Sequence, residues 1–281
     1  LKNIGFSFIE VGAVTPYPQK GNKKPRIHRV LEEEGIINSL GFNNKGMEKV
    51  YKNLLKKPRN CIIGVNLGSN KETIDRSLDF IKVLNLFQND VDFATLNVSS
   101  PNTKGLRNLQ NEDELELLLS KIAKARNKLF KKIPVFIKIS PDLNEKQLEN
   151  IVKQTISYNF SGIIATNTSI DRQGVSKKWV KIKGGLSGKP IFTKSTETLA
   201  KISFLSRNCF PIIGVGGIFS AEDAYEKICA GASALQLYSA LTFNGPKIVN
   251  EICKNLEKIL KANGFKNVSE AVGTKKNKWL L

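Results

Sequence analysis

The stretch Pro134-Val-Phe-Ile-Lys-Ile-Ser-Pro-Asp-Leu-Asn-Glu-Lys-Gln-Leu-Glu-Asn-Ile-Val-Lys-Gln-Thr-Ile-Ser-Tyr-Asn-Phe-Ser-Gly-Ile-Ile-Ala-Thr166 contains one complete building unit of the chain. Residues 134–139 form a short run that is apolar but for Lys138. Residues 145–158 carry apolar side chains at three-to-four spacing, behind Asn144, a residue that starts helices. Residues 162–166 are again short and apolar. Nearly continuous apolar runs suit strands buried on both faces of a parallel sheet, and the amphipathic segment between them suits the crossover helix.

The alternation fills the chain. Apolar runs recur at 6–11, 61–67, 92–98, 211–215 and 234–238, and helical patterns at 44–55, 71–87, 112–130, 196–207, 221–230 and 246–263. Thr73 precedes the second helical run, and Ser220-Ala-Glu-Asp223 has capping-box spacing with Asp in place of Glu or Gln. Seven strand–helix units without a composition break predict one α/β domain over residues 1–281. A doubly wound dinucleotide sheet asks for G-x-G-x-x-G after its first strand, whereas Gly214-Val-Gly216-Gly217 has another spacing and lies late. Gly184-Gly-Leu-Ser-Gly188-Lys-Pro190 lacks the first glycine of a P-loop and puts proline where Ser or Thr would hold magnesium. A (β/α)8 barrel of TIM type meets the pattern better, although the units number seven.

With 281 residues, 41% hydrophobic and 25% charged, the chain can bury a large core and is not of disordered or collagen-like composition. No apolar run reaches membrane-helix length, and the chain starts at Leu1 without a signal pattern. The formal charge is +19, carried by 36 Lys and 8 Arg. The lysines are scattered, often beside Asn, and cluster only as pairs such as Lys23-Lys24, Lys56-Lys57, Lys131-Lys132 and Lys275-Lys276. A nucleic-acid surface is more often clustered and rich in Arg, so the expectation is a generic solvated surface and no nucleic-acid partner. Cys61, Cys209, Cys229 and Cys253 show no C-x-x-C, sit in or beside apolar runs, and read as small buried hydrophobes. With His28 as the sole histidine, a His-based metal site is not expected, nor a Ser-His-Asp triad elsewhere in the chain.

In a barrel, function sits at the carboxyl ends of the strands. There the sequence places asparagines, one lysine and glycines, with no carboxylate pair for glycosidase chemistry. The glycines of 214–217 and the hydroxyls of Tyr238 and Ser239 either cradle a phosphate or merely shape a tight turn. Lys138 either offers a cation to a ring cofactor that gains negative charge on reduction or extends its amine to water. Asn66, Asn97, Asn102 and Asn167 suit a planar ring bearing carbonyls and N–H groups, though each alone reads as a turn residue.

Asn97-Val-Ser-Ser-Pro-Asn-Thr-Lys-Gly-Leu-Arg107 makes the set recognisable. Together with Asn38-Ser-Leu-Gly-Phe-Asn43, Lys138-Ile-Ser-Pro-Asp-Leu143, Thr166-Asn-Thr168, Gln236-Leu-Tyr238 and the glycine segments above, it resembles the dihydroorotate dehydrogenases. The resemblance runs the whole length, to Ala271-Val-Gly273, and is to the class 2, quinone-linked form. It implies an FMN-bearing barrel that oxidises dihydroorotate to orotate in pyrimidine synthesis and hands the electrons to a quinone. It assigns Ser100 as the base that takes the substrate's C5 proton, with Phe42 and Thr103 arranging the proton's exit; by itself Ser100 reads as a turn residue before Pro101. Asn38, Asn97, Asn102, Asn167 and Thr168 match orotate contacts. Asn66, Asn97, Lys138, Thr166, Gly188, Gly217, Tyr238 and Ser239 match FMN contacts, and Ala13 stands where the family has Ser or Thr beside FMN. Arg29 matches the arginine between flavin and quinone, with His28 beside it in place of the family's Phe.

Serine at position 100 is the mark of class 2. Class 1 enzymes carry Cys there, and flavin barrels that reduce tRNA uridines carry a catalytic Cys in a comparable loop. The rival readings are such a tRNA-dihydrouridine-synthase-like enzyme and a basic nucleic-acid-binding barrel. The family begins earlier, with a membrane-docking helical segment and a first strand ending in an FMN loop. The resemblance therefore implies a barrel lacking its first strand–helix unit. It also implies peripheral contact with a membrane, either the cytoplasmic face of a bacterial inner membrane or a mitochondrial inner membrane, through a segment outside these 281 residues.

Overall fold

The structure, a computed structural model, describes residues 1–56, 61–103 and 105–280; Lys57 and Lys104 lie outside the described residues. Strand β1 (Phe8–Val14) leads into a hairpin of β2 (Ile27–Val30) and β3 (Gly35–Asn38), then helix α1 (Met47–Leu55). The elements β4 (Ile62–Leu67), α2 (Arg76–Phe87), β5 (Phe93–Asn97), α3 (Glu112–Asn127), β6 (Val135–Ile139), α4 (Glu145–Ser157) and β7 (Gly162–Ala165) then alternate. The short α5 (Lys177–Val180) precedes β8 (Gly185–Gly188), α6 (Phe192–Ser206), β9 (Ile212–Val215), α7 (Ala221–Ala230) and β10 (Ala234–Gln236). Helices α8 (Ser239–Asn244), α9 (Ile248–Ala262) and α10 (Val268–Ala271) follow.

Seven strands pair in parallel in the order β1-β4-β5-β6-β7-β9-β10, a curled sheet that is a TIM-type barrel lacking one unit. Every apolar run of the sequence lands on one of these strands. Asn144 and Ser220 cap α4 and α7 with complete capping boxes, through Gln147 and Asp223. Among the described residues no helix is long and apolar enough to cross a membrane.

Three details depart from the sequence reading. A second, antiparallel sheet, β2-β3-β8, stands beside the barrel. Its strands of four residues carry too little pattern to announce themselves, and pairing across 150 residues of chain creates them. Helix α2 starts at Arg76 behind Asp75, whose carboxylate accepts the Ser77 N–H, so Thr73 is not its cap. Of the four cysteines Cys229 is buried, Cys61 is half-buried, and Cys209 and Cys253 are exposed. Cys253 follows buried Ile252 around α9 and so faces water, and Cys209 sits in the turn after Arg207 ends α6 in a left-handed conformation. An apolar neighbour in sequence is a neighbour on another face.

The helix side of the sheet is ordinary core. Val65, Leu67, Leu96, Val135, Ile137 and Ile139 are buried against Phe80, Leu84, Leu119, Ile122 and Ile151 of the surrounding helices. The inner side has two layers. The lower is aromatic: Phe93 meets Phe8 and Phe136 edge to face, with ring centroids 5.9 and 6.0 Å apart. Gly64, paired with Phe93, makes room for this ring, since a Cβ there would lie 2.1 Å from Phe93 Cζ. The upper layer, toward the carboxyl ends, is polar, with Glu10, Asn66, Thr95, Asn97, Lys138 and Gln236.

The loops above the strands are tied at Asp142. Its carboxylate accepts from Arg107 Nη1 at 2.7 Å, Lys194 Nζ at 2.9 Å, Ser169 Oγ at 2.5 Å and the Ile170 N–H at 2.9 Å. Burial pushes this carboxyl up, but the donors, Ser169 and Ile170 first, outweigh it and bring the pKa to about 2.

Gly64→Ala is expected to destabilise the fold by about 1–3 kcal/mol in urea titrations, and Phe93→Leu in the same chain to restore part of it. A neutral Gly64→Ala would show the ring free to move. Asp142 is ionised in the folded state well below the unfolded value of about 3.9, so its contribution is full above that value and disappears as pH falls through about 2. Asp142→Asn should cost roughly 2–3 kcal/mol near neutrality, and its gap from the wild type should close across that window in unfolding curves. A gap that does not change with pH would deny the carboxylate this role.

Candidate active site

A cavity of about 380 Å³ opens where the carboxyl ends of β6, β7, β9 and β10 face β2, β3 and β8. Of the residues singled out in the sequence, Arg29, Asn38, Lys138, Thr166, Asn167, Thr168, Gly188, Gly217, Tyr238 and Ser239 line it. Strands from two sheets thus bring together side chains more than 200 positions apart.

Asn66, Asn97, Ser100 and Asn102 do not line the cavity but join it through hydrogen bonds. Asn167 Nδ2 donates to Asn97 Oδ1 at 3.2 Å, Asn97 Nδ2 to Asn66 Oδ1 at 3.0 Å, and Asn66 Nδ2 to Glu10 Oε1 at 2.7 Å. Asn102 Nδ2 donates to Asn38 Oδ1 at 3.1 Å, and the Asn102 N–H to Ser100 Oγ at 3.3 Å. Ser100 is buried, and so is Thr103, whose hydroxyl has no hydrogen-bond partner among the described residues. Phe42 and Ala13 are not in the lining. Phe42 packs on the main core with φ 52°, its carbonyl accepting from Asn44 Nδ2 at 2.8 Å. Ala13 lies where the pairing of β1 with β4 slips between Gly12 and Val14.

Several contributors carried no separate signal in the sequence. Buried Ser99 donates to the Lys138 carbonyl at 2.5 Å and accepts from Asn167 Nδ2 at 3.0 Å. Arg107 grips the same loop, with Nε to the Ser99 carbonyl at 3.1 Å and Nη2 to the Thr168 carbonyl at 2.9 Å. Glu10 holds Lys138 Nζ at 3.8 Å. Burial pushes the Glu10 carboxyl up, but the Lys138 ammonium and hydrogen bonds from Thr95, Asn66 and Gln236 bring it below the usual carboxylate value. A carboxylate inside the apolar run 6–11 was the available clue to it.

The glycine turn has the form an oxyanion needs. Gly216 and Gly217 have φ 121° and 75°, and a Cβ on Gly217 would lie 2.6 Å from Phe192 Cα. Behind the turn lies fully buried Lys227, donating to Ser195 Oγ at 2.8 Å and Thr196 Oγ1 at 2.9 Å. Ser195 Oγ is in turn 3.1 Å from the Gly216 carbonyl oxygen. Burial pushes the Lys227 amine down to about 7, with Asp223 opposing. Ser239 Oγ donates to Ser187 Oγ at 2.9 Å on the facing wall. The site therefore offers a cation and a row of amides at one part, and a glycine turn with hydroxyls at another.

A family model described as dihydroorotate dehydrogenase matches residues 1–260. The chain is 44% identical over 281 residues to "Dihydroorotate dehydrogenase (quinone)" of Cereibacter sphaeroides, covering 100% of this chain and 79% of that protein. It is 43% identical over 284 residues to the protein of that name from Rhizobium rhizogenes, covering 99% and 78%. Among solved structures it resembles DHODH from Eimeria tenella in complex with ferulenol, with TM-score 0.90, 33% identity, and coverage of 96% of this chain and 79% of that one. The ligand-free form from the same organism gives TM-score 0.91 and 34% identity, with coverage of 96% and 82%. Sequence, fold and the residues gathered at the rim agree, and the chain belongs to the dihydroorotate dehydrogenase family.

Proposed function

We propose that the protein oxidises dihydroorotate to orotate, with FMN as its cofactor and a quinone as electron acceptor, as a step of pyrimidine synthesis. The observation that carries this reading is the convergence on one cavity of Lys138, the amides of Asn38 and Asn167, the Gly216-Gly217 turn and Arg29. These residues fit FMN. A flat ring suits the space beside Lys138, Thr166 and the amide row, while Gly217, Gly188, Tyr238 and Ser239 suit the phosphate end, with the buried Lys227 amine behind it. Bound FMN supplies a two-electron acceptor for the substrate and a donor for the quinone.

The chain's own residues do the rest. Asn38, Asn97, Asn102, Asn167 and Thr168 read the carbonyls and N–H groups of the pyrimidine ring without adding charge. Ser100 takes the C5 proton. One lone pair of its oxygen already receives the Asn102 N–H, and another is left for the substrate. A serine is a weak base at neutral pH, so its own proton must move on; Thr103, buried with an unpartnered hydroxyl, is the next carrier, and Phe42 limits water. Arg29 and exposed Ile27 meet the quinone at the cavity's mouth, and a lipid-soluble acceptor implies peripheral contact with a membrane.

Stopped-flow measurement of the two half-reactions tests the assignment. Ser100→Ala should slow flavin bleaching by dihydroorotate by roughly two to four decades and leave reoxidation by quinone nearly unchanged. Wild-type bleaching rates would remove Ser100 from the role. Arg29→Ala should show the opposite split, with slower reoxidation and ordinary bleaching; equal effects on both halves would contradict a quinone-side position.

A further inference from the structure

Glu10 stands where a barrel interior usually holds an apolar side chain. It is third in β1, faces the inside of the curled sheet, and its side chain is 13% exposed. Both oxygens are occupied. Oε1 accepts from Asn66 Nδ2 at 2.7 Å with Lys138 Nζ at 3.8 Å, and Oε2 accepts from Thr95 Oγ1 at 2.6 Å and Gln236 Nε2 at 3.2 Å. Residues of β4, β5, β6 and β10 therefore converge on one carboxylate. The contact with Gln236 joins the first and last strands of the sheet.

An ionised carboxylate can only accept hydrogen bonds. Asn66 must therefore turn its NH2 toward Glu10 and its carbonyl toward Asn97. Asn97 must then donate to Asn66 and accept from Asn167. Any one of these amides could be satisfied either way round, and the carboxylate at the end of the row removes the choice. The same carboxylate compensates Lys138. A lysine alone would favour the negative charge that a ring cofactor gains on reduction, and an anion 3.8 Å from that lysine offsets much of its field.

We propose that Glu10 is a positioning residue whose charge orients the Asn66–Asn97–Asn167 row and, through Lys138, holds down the reduction potential of the bound flavin. This deepens the reading of the cavity as an FMN site and rests on it. A carboxylate that merely filled space and joined strands would be replaceable by its isosteric amide without effect on the flavin. One that sets charge and direction would not, because the amide brings an NH2 into a ring of donors and leaves Lys138 uncompensated.

The test compares the flavin-loaded protein with its Glu10→Gln and Glu10→Asp variants, with thermal melts alongside. Glu10→Gln is expected to weaken FMN binding roughly tenfold to a hundredfold in fluorescence titrations of the apoprotein, and to shift the potential of the bound flavin to more positive values. Glu10→Asp keeps the charge but is one methylene too short to reach Asn66 and Lys138 together, so binding weakens while the potential stays near that of the wild type. A Glu10→Gln protein that melts like the wild type and matches it in affinity and potential overturns the role. If Glu10→Gln does not fold, wild-type affinity in Glu10→Asp overturns it equally. A wild-type protein that takes up no FMN overturns the cofactor reading and this role with it, and is recognised before any substitution is made.

Discussion

The inner face of this sheet is built around an acceptor that cannot donate. Three hydrogen-bond donors and the Lys138 ammonium, from four strands, meet the Glu10 carboxylate, and the amide row that ends on it runs strand by strand to the rim. Burying so many polar groups is tolerable because the row is satisfied; a single orphan would cost about 1–3 kcal/mol. An aromatic layer lies beneath the polar one. Phe93 meets Phe8 and Phe136 edge to face there, and the space its ring needs is made by the missing side chain of Gly64.

A second knot works on the loops. Asp142 draws in Arg107 from the loop after β5, Ser169 and Ile170 from the loop after β7, and Lys194 from α6. Arg107 passes the constraint to the carbonyls of Ser99 and Thr168, on either side of the site. The loop that carries Ser100 is thus held by charged hydrogen bonds at its base, with Asn102 and Asn38 linked above. The base role proposed for Ser100 needs this fixity, since reach for a substrate proton is a matter of tenths of an ångström. The two knots share Lys138, whose side chain belongs to the first and whose carbonyl accepts from Ser99 of the second.

Much of this was legible in the residues. The strands of the parallel sheet announce themselves by short, largely apolar runs, most plainly in β4, β5 and β7, which are buried on both faces. The caps at Asn144 and Ser220 are local chemistry and were readable as such. Lys138, Thr166, Asn167, Thr168, Gly217, Tyr238 and Ser239 are legible because a barrel of this kind puts function at the carboxyl ends of its strands, whereas Arg29, Asn38 and Gly188 are legible only through the family resemblance. Cys209 and Cys253 are exposed despite apolar neighbours, because an apolar neighbourhood along the chain says nothing of which face a side chain takes. Ser99 and Arg107 stood inside a quoted motif yet had no role until the loops were folded against each other.

What the sequence by itself determined is the order of the seven parallel strands with the helices between them, and the polar residues that follow those strands at the rim. Both follow from periodicity, capping and the short reach of neighbouring residues, while Arg29, Asn38 and Gly188 came only with the family resemblance. What only the tertiary structure decided is direction and charge. The small sheet exists because β8 returns to β3, and Glu10 becomes the end of a hydrogen-bonded row because β1 and β10 curl until residues 226 positions apart touch. A local pattern records which face a side chain prefers, but a buried donor or acceptor takes its orientation from partners on other strands, and those partners are assembled only when the sheet curls.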